Sequence, residues 1–128
     1  MIVLILAPAL AKGQSQRFGP DELTSGRVNG RAWGQLSVEE RAAYLFGLES
    51  GLALSADLSG DYKTFADLTV KGFKFGDLAN EVEVFYQDRS NLRIPITFAY
   101  VYVTKRIHGD SPQSLESYAA ELRRRWNQ

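Results

Sequence analysis

The sequence predicts an all-α fold, a single compact domain of four main helices with an irregular N-terminal arm. Three observations lead there. Ser37, followed three residues later by Glu40, is a capping box that opens a long helical repeat of apolar residues. Ser111-Pro112 has the form of another helix start, followed by Leu115, Tyr118, Ala119, Leu122 and Trp126 on one face. The 128 residues, 45% hydrophobic and 23% charged, suit one globular domain.

The elements follow in chain order. Residues 1–11, Met1 to Ala11, are uncharged and fall short of the roughly 20 apolar residues that span a bilayer. Ala9-Leu10-Ala11 stands just before polar Lys12–Gln16 and has the small-x-small form of a signal-peptidase site. The segment therefore reads as a signal-peptide remnant cut after Ala11, which places the protein in the periplasm or outside the cell. Residues 12–30 hold four glycines and few large apolar side chains, and read as an irregular arm with Phe18 and Leu23 as docking points. The helical domain occupies residues 31–128. Trp33 and Leu36 are placed to cover the start of the first long helix, and Trp33 reads as a core residue.

That first helix, from Ser37, carries Val38, Ala42, Leu45, Leu48 and Leu52 as its apolar stripe. A second row, Ala43, Gly47, Gly51 and Ser55, repeats every four residues. A mid-helix glycine costs about 1 kcal/mol relative to alanine, so Gly47 and Gly51 are expected to touch another helix at a close crossing, the one at 96–107 first of all. Residues 56–75 form a connection, with a short helical turn at 62–68. Asp57-x-Ser59-x-Asp61 resembles the start of a calcium loop, but Gly60 stands at the fourth place and Leu68 where a bidentate Glu is required. A second helix is expected over 77–86, capped by Gly76 or Asp77, with Phe75, Leu78, Val82 and Phe85 inward.

Residues 94–107 are rich in β-branched and aromatic side chains, which favour a strand. Pro95 as a first-turn residue, the helical spacing of Ile96, Ala99, Val103 and Ile107, and Gly109 as a stop make a third helix the expectation. Ser111 opens the fourth, whose last turn carries Arg123-Arg124-Arg125 against the helix dipole.

The composition excludes several kinds of chemistry. Fifteen basic residues balance fifteen acidic ones, so neither nucleic acid nor an anionic membrane finds a basic surplus, and no stable membrane insertion is expected after processing. The absence of cysteine removes disulfides, zinc ribbons and thiol nucleophiles. His108 is the one histidine, with no Gly-x-Ser-x-Gly elbow and no phosphate loop beside it. No catalytic residue, metal ligand or cofactor is assigned.

Four fragments stand together: Asn29-Gly30-Arg31-x-Trp33, Tyr44-Leu45-x-Gly47-x-x-x-Gly51, Phe85-Tyr86-x-Asp88-x-x-Asn91-x-x-Ile94-Pro95-Ile96, and Glu121-Leu122-Arg123. In this order, over residues 27–125, the chain resembles a group of small exported bacterial proteins of unknown function. More distantly it resembles the periplasmic immunity proteins that neutralise type VI amidase effectors. The resemblance implies a compact helical domain outside the cytoplasm, with helix over 96–107.

Two functions remain. The first is an exported, non-catalytic binding or accessory protein whose partner is a protein or a cell-wall component. Its candidate contact residues are Tyr86, Asp88, Arg89 and Asn91 in the polar loop, and Tyr100 as an exposed aromatic, since Tyr100 and Tyr102 are two apart on one helix. Within the same loop, Asp88 and Asn91 also read as structural caps for the chain entering the next helix. The second function is a small cell-wall glycan hydrolase using paired carboxylates. Asp77 and Glu81 share a helix face and Glu49 is the third candidate.

Overall fold

A computed structural model describes residues 17–128, and the expectations for residues 1–11 and 12–16 lie outside it. The described chain is mostly helical, but it has six α-helices and one small sheet rather than four helices. The helices are α1 (Gly30–Gln35), α2 (Val38–Ser59), α3 (Tyr62–Leu68), α4 (Phe75–Gln87), α5 (Ile96–Ile107) and α6 (Pro112–Trp126). None is long and apolar enough to cross a membrane.

Residues 20–28 of the arm form regular elements where the sequence suggested irregularity. A single 3-10 turn at Pro20–Glu22 leads into β1 (Leu23–Thr24), which pairs antiparallel with β2 (Arg27–Val28). Ser25 and Gly26 between them have φ of 50° and 76°, the twist-matched hairpin turn that needs positive φ at both central positions. The signal was Ser25-Gly26 itself, in strands too short to show an alternation.

Directly after β2, Asn29 is fully buried. Its side-chain oxygen accepts from the Arg31 and Ala32 amides at 2.9 and 3.3 Å, which caps α1. Its side-chain amide donates to the Asp21 carbonyl and to Thr24 Oγ1, both at 3.0 Å. One side chain thus ties turn, hairpin and helix together. Gly30 follows because nothing larger fits: a Cβ there would lie 2.4 Å from the Tyr86 ring.

α2 begins on the expected capping box, with Ser37 Oγ accepting from the Glu40 amide at 3.1 Å and Glu40 accepting from the Ser37 amide at 3.1 Å. It runs to Ser59 and stops at Gly60, whose φ of 76° closes it in the left-handed conformation. The expected turn at 62–68 is α3, capped by Asp61. Asp57, Ser59 and Asp61 hold this junction together, accepting from the Tyr62 hydroxyl, the Asp61 amide and the Thr64 amide respectively. α4 starts at Lys74 without a side-chain cap, in place of the Gly76 or Asp77 cap expected. Residues 96–107 are helical, entered through Pro95 at the N-cap, where its missing amide hydrogen leaves no bond unmade. α6 opens on Ser111 and Pro112 as expected.

α4 packs between α2 and α5, and α6 covers the other side of α5. Trp33, Leu45, Leu78, Val82, Ile94, Ile96, Tyr100 and Val103 are each at most 1% exposed and make the centre of the core. Each such side chain contributes on the order of 1.5–3 kcal/mol by leaving water.

Candidate functional site

The loop proposed from sequence as a contact patch is built into the fold. Tyr86 is buried, and its hydroxyl donates to the Ile94 carbonyl at 2.7 Å. Burial and the neighbouring Tyr44 hold its phenol well above the usual range. Asp88 caps a 3-10 turn at Arg89–Asn91, accepting from the Ser90 amide at 3.0 Å and the Ser90 hydroxyl at 2.6 Å. Those bonds, with Arg123 nearby, pull the Asp88 carboxyl below its ordinary pKa. Asn91 is 3% exposed. Its amide donates to the Phe85 carbonyl at 2.8 Å, closing the end of α4, and its oxygen accepts from Arg123 Nε at 2.8 Å. Gln87, Asp88, Arg89 and Ser90 are exposed, and Arg89 joins no ion pair among the described residues.

Tyr100 is fully buried, which corrects the exposed aromatic expected there. Its hydroxyl approaches Glu49 at 3.5 Å, and burial followed by the Glu49 charge pushes its pKa up to about 12. Trp33 lies in the core as expected, with its indole N–H donating to Glu83 at 3.0 Å. Arg123, read from sequence as dipole compensation, is a clamp: besides Asn91 it reaches Glu116 at 3.1 Å and Asp88 at 3.5 Å.

Asp88, Asn91, Glu116 and Arg123 line a polar cleft of about 200 Å³ between α4, α5 and α6. Glu81 pairs with Arg106 across it. Of the hydrolase candidates, Asp77 and Glu81 stand four residues apart on α4, and Glu49 lies on α2. Glu81 opens on this cleft, Glu49 on a separate cavity beside Phe46 and Phe75, and Asp77 is exposed in the first turn of α4.

The glycine row corrects a second expectation. Gly47 and Gly51 touch no other helix among the described residues: a Cβ added at either would meet nothing there within 4 Å. Both are exposed, and so are Ser50, Leu54 and Leu58 on the same side of α2. Leu54 is 59% exposed, Leu58 80%, and Phe46 at the edge 60%. α2 is therefore apolar on two sides. Leu45 is buried and Leu48 and Leu52 pack on the core, whereas Val38, counted in the inner stripe, points out at 71% exposure. Gly51, Leu54, Ser55 and Leu58 edge a shallow depression on the outer side.

A further pocket, of about 380 Å³, opens where the arm meets α1, α2 and α5. Phe18, Val28, Leu36, Ala43, Tyr44 and Ile96 form its apolar wall, with Arg17 and Glu40 at the rim. Of the anticipated docking points, Phe18 is thus in place at a functional-looking cavity. Tyr44 belonged to a sequence fragment singled out above, but nothing in its spacing distinguished a pocket residue from a core one.

Searches against protein-family models, curated proteins and solved structures found no match for this chain.

Proposed function

We propose that the protein is an exported, non-catalytic binding or accessory protein that docks a protein partner through the outer side of α2. The observation that carries the proposal is the exposed pair Leu54 and Leu58, which edge one depression with Gly51 and Ser55 on the outer side of α2. Exposed apolar surface that is contiguous rather than scattered marks contact sites. Glycine in an exposed helix sacrifices stability, and here no contact among the described residues makes up for it. From Phe46 to Leu54 the one charged residue is Glu49, which is part-buried on the cavity beside Phe46 and Phe75 and lies 3.5 Å from the Tyr100 hydroxyl. The fitting partner is an uncharged, apolar helix of a protein, whose side chains seat where the glycines leave the α2 backbone open.

Replacing both Leu54 and Leu58 with Glu tests this. The side chains are outside the core, so the melting temperature should stay within a few degrees. A partner retained by the wild-type protein from periplasmic extract should be lost. Retention of the same partner by the double variant would contradict the proposal.

Export rests on Ala9-Leu10-Ala11 ahead of a polar stretch. Mass spectrometry of protein made in its own host should find Lys12 as the first residue. A mature chain retaining Ile2 to Ala11 would contradict it.

A further inference from the structure

The pocket between the arm and α2 is separate from the outer face of α2, and its chemistry is selective. Its volume of about 380 Å³ lies in the range of small-molecule sites. Four elements build it: Val28 comes from β2, Ala32 from α1, Ala43 and Tyr44 from α2, and Ile96 from α5. Several of these positions are fixed by the core, since Ala32 and Ile96 are fully buried. The site is therefore shaped by the fold.

The charges of the lining cancel. Arg17 and Glu40 form an ion pair with each other at the rim. Glu40 is further committed to the Ser37 amide, and its hydrogen bonds to Arg17 and Ser37 keep it ionised. A charged guest would have to break this pair or enter an apolar space without a counter-ion, which is costly. Tyr44 supplies the one hydroxyl of the lining. Burial raises its pKa, so the phenol stays a neutral O–H donor, and its hydroxyl is bonded to no other group among the described residues. An apolar wall, a cancelled rim and a single donor define the complement.

We infer that this pocket binds a small, uncharged, mainly apolar molecule carrying one carbonyl-type acceptor, which receives the Tyr44 hydroxyl. The apolar body fills the space lined by Phe18, Val28, Leu36 and Ile96. The acceptor lies toward α2, and the Arg17–Glu40 pair closes over the entrance.

Prodan, an uncharged naphthalene with one ketone, is the probe, and 8-anilinonaphthalene-1-sulfonate is its anionic counterpart. The full chain should bind Prodan saturably at one site with a blue shift, and bind the sulfonate at least tenfold more weakly. Tyr44→Phe should weaken Prodan about three- to tenfold, the range a single neutral hydrogen bond commands, while leaving the melting curve in place. Ala43→Phe, at an exposed backbone position on the pocket wall, should fill the space and abolish binding. The Leu54→Glu/Leu58→Glu protein should bind Prodan as the wild type does, which separates this inference from the proposed docking face. No saturable Prodan binding, equal or tighter binding of the sulfonate, or binding indifferent to Ala43→Phe would each overturn the inference.

Discussion

Asn91 shows how one side chain can look like a recognition group in sequence and act as a joint in the fold. It accepts from Arg123 of α6 and donates to the last turn of α4, so it joins two helices at the entry to a third. The capping alternative was legible, because Pro95 forces the chain out of helical geometry at Ile94 and leaves backbone groups to satisfy. The clamp with Arg123 was not, because nothing in a sequence reports a bond across 32 residues. Asn91→Ala should remove both bonds and leave the Phe85 carbonyl without its donor. A loss of about 1–3 kcal/mol is expected in urea unfolding. A change below about 0.5 kcal/mol would mean that water replaces the side chain at no cost. Gly30 makes the complementary point: the fragment Asn29-Gly30 was visible, but the Tyr86 ring lying against it comes from 56 residues downstream and belongs to tertiary structure alone.

At the scale of the element, helix starts were the most legible features. The capping box at Ser37 and the N-cap at Ser111 are local chemistry, and both formed where expected. The helix over 96–107 prevailed over its β-branched composition because Ile96, Ala99, Tyr100 and Val103 fall on one side, where they are fully buried. α2 was half legible. Its inner stripe was read from Leu45, Leu48 and Leu52, but Leu54 and Leu58 add a second apolar side that a single-stripe reading passes over. The same omission sent Gly47 and Gly51 into a supposed helix crossing. With no neighbour at either position, Gly51→Leu should no longer overpack anything. Gly51→Ala should raise stability by about 0.5–1 kcal/mol, the helix-propensity difference, as measured by thermal or urea unfolding. A destabilised Gly51→Ala would restore the buried crossing and remove the open face on which the proposed function rests.

For the whole molecule, the helical class followed from periodicity, while the count of helices did not. α1 and α3 are six and seven residues long, too short to show a stripe, and both depend on capping by Asn29 and Asp61 and on packing. The functional surface was least legible for a physical reason. Sequence patterns locate what is buried, and an exposed apolar side is found only after the buried one has been assigned. Tyr86, Asn91 and Tyr100 were polar or aromatic enough to suggest recognition, and the core took all three. What the molecule offers outward is the strip of Leu54 and Leu58.

A photoreactive benzoylphenylalanine placed at Leu54 in the full chain, expressed in its own host, probes that strip where it works. Lys71, exposed in the loop between α3 and α4, is the control position. Irradiation should give one discrete protein adduct from position 54 and none of that mass from position 71. The same adducts from both positions, or none from position 54, would contradict a docking role for the outer side of α2.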